Sequence, residues 1–290
     1  MTGISLTLVL LSGVAHASWN LLLKHSRNQE VFVWWLQIAQ VILFAPLAMI
    51  LIWQGGIEPR GWWFILGTSL IHILYFLLLS QSYIHANFSL AYPLARGTGP
   101  ALVPFLGVAL LHEHITQLAM LGVITIVSGI FTAYWWGHMF EIVRSPLKFL
   151  KDPGTRFALL TGVSIAGYSV WDKVGITHVN PLLYMYLLSL GTAIGLVPYI
   201  FWKHNVTTIK NEFILNKFPI FGAAILTFFA YSAVLSALQF SNVSYVSPTR
   251  EVGIVFSVLL GVIVLREPLN TGRIVGSATI VSGVFLIALG

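Results

Sequence analysis

Apolar residues along the chain fall into ten long runs separated by short polar connectors. Crossing the hydrocarbon core of a bilayer as a helix takes roughly 17 to 25 residues, and the runs are of about that length. The predicted spans are 2–23, 31–52, 62–81, 89–111 and 117–136 in the first half, and 156–172, 181–202, 219–238, 246–265 and 274–289 in the second. The longest connectors, Gly137–Thr155 and Lys203–Phe218, leave no room for a soluble catalytic domain. The first run ends in "AHA", which imitates a signal-peptide cleavage site. No Lys or Arg precedes it and a second span follows at once, so it is expected to remain as the first transmembrane helix.

The two halves repeat. At an offset of 154, Arg96–Phe131 lies over Arg250–Phe285 with fourteen of 36 positions identical, including Arg96 over Arg250, Glu113 over Glu267 and "TIVSG" over "TIVSG". At an offset of 149, "GVAHASWNLLLK" (Gly13–Lys24) lies over "GVSIAGYSVWDK" (Gly162–Lys173). Five spans per half is an odd number, so the second half enters the membrane from the opposite side. The expected fold is therefore an all-α polytopic membrane protein of ten transmembrane helices in two inverted five-helix repeats. Residues 1–136 form the first repeat, 137–155 the connecting loop and 156–290 the second repeat. Inverted repeats suit alternating access, in which one half rocks against the other around a site near the midplane.

Composition narrows the chemistry. At 57% hydrophobic and 8% charged residues, a water-soluble domain with a polar exterior is excluded. The chain has no cysteine, which removes disulfides, thiolate catalysis and Cys-ligated metals. His112 and His114 flank Glu113 but lack the H-E-x-x-H spacing that puts two histidines on one helical face, so no metal site is expected. There is no P-loop and no G-x-S-x-G elbow. No enzyme activity, cofactor or nucleic-acid partner is expected; the partners are a small-molecule solute and the lipid bilayer.

The two five-span units, the first-span "ASWNLLLK" and a Glu closing the fourth span of each unit ("LLHEHIT", "LREPLN") carry a family resemblance. Over nearly its whole length the chain resembles the ten-helix EamA-type members of the drug/metabolite transporter superfamily. "HASWNLLLK" is also similar to a subgroup linked to phosphonate utilisation. The resemblance implies secondary transport, commonly efflux of amino acids or other small metabolites, here in a bacterial inner (plasma) membrane.

Candidate solute contacts are the polar residues inside the spans. Arg96 lies about 10 Å along its helix from one surface, and Arg250 is its inverted counterpart. Such a position costs roughly 3 kcal/mol on insertion scales, so each arginine faces protein or a water-filled cavity. Ligand contact and structural pairing are both open for Arg96; Glu251 is a poor partner for Arg250 because adjacent residues diverge on a helix. Pro93, Pro100 and Pro104 with Gly97 and Gly99 are expected to loosen the fourth span around Arg96, more than Pro248 and Gly253 loosen the ninth. His16, Asn20 and Lys24 recur every four residues on one face of the first helix, with Trp19 beside them. Ser169 and Lys173 hold the matching steps in the second half, with Tyr168 nearby. His72 and Tyr92 complete the candidate set.

Lys24 and Arg96 belong to one side of the membrane and Lys173 and Arg250 to the other, so each side is expected to offer a cationic pair. Arginine matches carboxylate, phosphate or phosphonate oxygens with paired hydrogen bonds, and an anionic or zwitterionic solute is expected. A channel would need a continuous polar pathway, and a membrane enzyme or lipid-handling protein a matched acid and base; these are the alternatives. Glu113 and Glu267 are expected to cap or anchor helix ends. Gly122 and Gly129, matched by Gly276 and Gly283, form small-residue faces for close packing, within the monomer or in a homodimer.

Loop charge sets an orientation. With Lys24, Arg96, Lys173 and Arg250 set aside, Arg27, Arg144, Lys148, Lys151, Arg156, Lys203, Lys210, Lys217, Arg266 and Arg273 fall opposite both termini, and Arg60 alone falls with them. The positive-inside rule then puts both termini outside, against the usual arrangement in the resembled family. A C-terminal reporter that works only in the cytoplasm is expected to stay silent; an active reporter reverses the assignment.

Overall fold

The computed structural model describes residues 1–24, 26–86, 88–136, 151–266 and 268–290. They form helices and short turns, with no strand among the described residues. The helices are α1 (Gly3–Lys24), α2 (Gln29–Gly55), α3 (Pro59–His85), α4 (Phe88–Leu111), α5 (Gln117–Trp135), α6 (Pro153–Gly175), α7 (Pro181–Lys203), α8 (Val206–Ala237), α9 (Val243–Thr249), α10 (Val252–Ile263) and α11 (Thr271–Leu289). Counting α9 and α10 as one span, nine of these are long and apolar enough to cross a membrane. The tenth, α6, carries Thr155, Thr161, Ser164, Ser169 and Asp172, all buried against other helices. A helix whose polar face is covered by protein needs less apolar surface to sit in lipid.

Local chemistry sets the ends. Side-chain oxygens of Asn28, Thr116, Asp152, Asn180, Asn205 and Asn270 accept from backbone N–H groups in the first turns of α2, α5, α6, α7, α8 and α11. His112 and Arg266 stop the two fourth spans in left-handed conformation, with φ of 54° and 55°. They lie 154 residues apart, so the sequence repeat is also a repeat of backbone turns.

Packing follows the same pseudo-symmetry. The exchanged pairs pack on each other, α5 on α11 and α2 on α7, while α1 lies against α8 and α10 and α6 against α3 and α4. The crossings are close because glycines make them so. A Cβ on Gly13 would lie 3.0 Å from a Val252 methyl, and one on Gly162 2.5 Å from Thr98 Cβ; both offsets match the repeat. Between α5 and α11, a Cβ on Gly122 would lie 2.7 Å from Gly283 O, and one on Gly129 2.9 Å from Gly276 O. The small-residue faces are thus used within the chain, joining the two repeats.

Three expectations change. The connector Lys203–Phe218 is largely helical: α8 starts at Val206, capped by Asn205, and bends at Asn216, where φ is −118° and ψ 19°. Buried Ile209 and Glu212 anchor this stretch, Glu212 accepting from Asn28 N and Asn216 Nδ2 at 3.1 and 2.8 Å. The fourth span is one continuous helix despite its three prolines, and Gly99 serves a close crossing, where an added Cβ would meet Ile165 at 2.6 Å. The interrupted helix is instead the ninth span, broken between α9 and α10 at Arg250–Glu251. Pro248 removes one backbone donor there, and Glu251 N and Gly253 N turn back to Pro248 O and Arg250 O at 3.0 and 3.1 Å. Of the connecting loop, residues 137–150 lie outside the described residues, as does Glu267.

The α5–α11 contact gives a direct check. Gly129→Leu is expected to lower the melting temperature in detergent by the equivalent of about 1–3 kcal/mol, because backbone cannot give way as a side chain can. Gly167→Ala, with nothing within 4 Å of its new Cβ, is expected to leave the melt unchanged or raise it.

Candidate solute site

A cavity of about 880 Å³ runs from the face opposite the termini into the centre of the bundle. Lys24, Arg27, Glu30, Ser80, Lys203 and Arg273 line its outer part; His16, Tyr75, Tyr92, Arg96, Tyr134 and Arg250 line its inner part. Every wall element has a reason to be there. The α1 stripe of His16, Asn20 and Lys24 faces inward as its four-residue spacing requires, α4 presents Tyr92 and Arg96 one turn apart, and the break in the ninth span brings Arg250 to the floor.

Charge is concentrated on that floor. Arg96, only 7% exposed, has Nε 3.3 Å from Oε2 of Glu251, which is 3% exposed. Neither atom makes an aligned hydrogen bond, so the pair is held by charge. Arg96 Nη2 lies 3.0 Å from His16 Nε2, and its guanidinium stands 5.8 Å from the Tyr92 ring centroid. Arg250 has a different environment. Its Nε is buried with no hydrogen-bond partner, and its guanidinium sits over the Tyr231 ring at 5.2 Å. Tyr231 in turn donates to Asp172 at 2.5 Å, and Tyr184 donates to the other Asp172 oxygen at 2.7 Å.

At the outer rim Glu30 gathers the ends of α2, α3 and α7. It accepts from Lys203 Nζ at 2.8 Å, from Tyr199 OH at 3.1 Å and from the Ser80 hydroxyl, and it pairs with His204 Nε2 at 2.8 Å. The opposite face, that of the termini, holds a smaller pocket of about 430 Å³ lined by His112, Glu113, Lys173 and Asn242, and contacts between the repeats tie this face together. Glu113 accepts from Val243 N (2.8 Å), Ser244 N (3.1 Å) and Ser244 Oγ (2.5 Å), a carboxylate of the first repeat capping a helix start of the second. Ser5 Oγ donates to Ala237 O at 2.7 Å.

Of the residues singled out in the sequence, Arg96, Arg250, Lys24, His16, Trp19, Asn20 and Tyr92 line this cavity. His72, Tyr168 and Lys173 do not. His72 stacks on Tyr168 with ring centroids 4.3 Å apart and places Nδ1 2.9 Å from Thr68 O. Lys173 points to the face of the termini, donating to Ser241 O at 3.0 Å and to Leu238 O; carbonyls freed at the end of α8 claim it, so it forms no pair with Arg250. Sequence reasoning missed Glu251 as the partner of Arg96, and missed the Glu30 cluster, whose members are spread over three helices.

An all-helical multi-pass bundle built from two repeats around a central cavity is the architecture of a membrane transporter. The chain belongs to the EamA-like transporter family, whose profile matches residues 3–135 and again 153–289. It is 26% identical over 224 residues to an uncharacterized transporter of Archaeoglobus fulgidus, covering 77% of this chain and 74% of that protein. One solved crystal structure superposes with a TM-score of 0.70 at 17% identity, over 99% of this chain and 97% of the other, a likeness of fold.

The absence of native cysteine makes accessibility simple to read. A single Ser257→Cys on the cavity wall is expected to react with a charged, membrane-impermeant thiol reagent added from the side opposite the termini. Ser5→Cys, fully buried near the face of the termini, is expected to stay unlabelled from either side; the reverse pattern contradicts this placement of the cavity.

Proposed function

We propose that the protein is a secondary transporter that moves a small anionic or zwitterionic metabolite of amino-acid, organic-acid or phosphonate type by alternating access, in efflux or exchange. The observation that carries this reading is the cavity floor, where an arginine from each repeat, Arg96 and Arg250, lines one cavity. Two guanidinium groups in a desolvated floor attract an oxyanion more strongly than the same groups in water. The inner and outer cations form a graded path, Lys24, Arg27, Lys203 and Arg273 at the rim and Arg96 and Arg250 within, which suits capture of an anion from the side of the rim.

Arg250 is the main solute ligand in this reading, because Arg96 is ion-paired with Glu251 while the Arg250 guanidinium rests on the Tyr231 ring. A counterflow screen of purified protein in liposomes against amino acids, organic acids and phosphonates tests the substrate class. On the solute it identifies, Arg250→Ala is expected to abolish exchange with little change in melting temperature, and Arg250→Lys to rescue poorly, since an ammonium cannot make the planar two-pronged contact. Arg96→Ala is expected to lose exchange and also about 3–5 kcal/mol of stability, because Glu251 is left buried and unpaired. Removing Glu251 together with Arg96 restores part of that loss. Wild-type exchange by Arg250→Ala overturns the proposal.

A further inference from the structure

Both ring nitrogens of His16 face groups that can only donate. Trp19 Nε1 lies 3.1 Å from Nδ1, and Arg96 Nη2 lies 3.0 Å from Nε2. Indole and guanidinium N–H groups have no lone pair to offer, a neutral imidazole has one lone pair, and an imidazolium has none. In every protonation state at most one of the two contacts is therefore a hydrogen bond, and the other sets hydrogen against hydrogen.

The Trp19 contact is the one built into the helix. It joins residues three apart on α1, with the rings edge to face at 5.4 Å and 83°, and Asn20 Nδ2 closes the same turn on His16 O at 2.7 Å. A lone pair on Nδ1 puts the hydrogen on Nε2, beside Arg96 Nη2. The fold itself does not need a polar residue here. Ile165 takes the place of His16 in the second repeat, beside Gly99 as His16 is beside Gly253, so the same helix crossing is served by a hydrocarbon in one half and by an imidazole in the other.

We infer that His16 Nε2–H and Arg96 Nη2–H together form a two-donor seat for one oxyanion of the solute, and that Trp19 is the positioning residue that sets the His16 tautomer. On binding, the oxyanion enters between the two donors and replaces a contact of two hydrogens with two hydrogen bonds. The floor presents the guanidinium groups of Arg96 and Arg250 to the cavity, with the carboxylates of Glu251 and Asp172 behind them, so it favours a head of negative charge. A carboxylate or a singly ionised phosphonate meets both requirements. This inference rests on the transport reading above, since it assigns a role within the same cavity.

The test separates the two. Histidine-labelled (15N) protein in nanodiscs reports the tautomer directly, with His16 assigned by difference against His16→Gln. The Nε2–H form is expected in the wild type, and Trp19→Phe, which keeps the ring but removes the N–H, is expected to shift His16 toward the Nδ1–H form. Affinity is read by thermal-shift titration with acetate and with methylphosphonate. His16→Gln, whose amide can donate from near the Nε2 position, is expected to bind within about threefold of wild type. His16→Asn and Trp19→Phe are expected to bind roughly tenfold to a hundredfold more weakly, the worth of one hydrogen bond to a charged group. An Nδ1–H tautomer in the wild type overturns the inference, and so does equal probe affinity in all four proteins. A protein that shows the expected tautomer and probe affinities but exchanges no solute in liposomes upholds the seat and overturns the transport reading instead.

Discussion

Two guanidinium groups, Arg96 and Arg250, and two carboxylates, Glu251 and Asp172, are held at the centre of a bundle whose outer surface is made for lipid, and most of the architecture follows from keeping them there. Moving an ion from water into a low-dielectric interior costs several kcal/mol even after relaxation, so these charges persist only beside one another and beside a wet cavity. Arg96 meets Glu251 across the repeat boundary, and Arg250 is left facing the pathway with an aromatic ring beneath it. The cavity thus meets guanidinium groups at its floor, and an anionic solute pairs with them in the proposed mechanism.

Inverted symmetry explains how a single chain arranges this. Equivalent helices make equivalent crossings at Gly13 and Gly162, equivalent left-handed turns end the fourth spans at His112 and Arg266, and the last helices of each repeat meet glycine to glycine. The two halves differ where the cavity floor lies. His16 is replaced by Ile165, and the fourth span is continuous while the ninth is broken at Arg250. A broken helix at the repeat interface leaves backbone groups and an arginine where a cavity can use them.

The spans were legible because the bilayer imposes a length that hydropathy reads directly, and the repeat because its identities fell in one register. The ends were less so. Helices α2 and α3 each run to 27 residues, beyond the hydrocarbon, and the start of α8 read as a connector because Lys210, Asn211 and Lys217 mask two buried anchors. Arg96 and Arg250 stood out in the sequence because an embedded arginine is costly. The Arg96–Glu251 pair did not, since no periodicity within one helix records a neighbour 155 residues away. Lys24 and Lys173 look alike at helix ends, yet one lines the cavity and the other binds carbonyls on the face of the termini; only the adjoining helices decide between such fates. His72 follows the same rule, its Nδ1 beside Thr68 O and its ring stacked on Tyr168, away from the pathway.

The central claim is that the anionic head of the solute is held on the cavity floor between the repeats. An experimental density map of the protein with its exchanged solute bound tests this most directly. The expected result is solute density whose anionic group lies within hydrogen-bond distance of the Arg250 guanidinium and of Arg96, with the Glu113–Ser244 contact closed behind it. Density for the solute at the outer rim, or on the face of the termini, with both arginines untouched, contradicts the account.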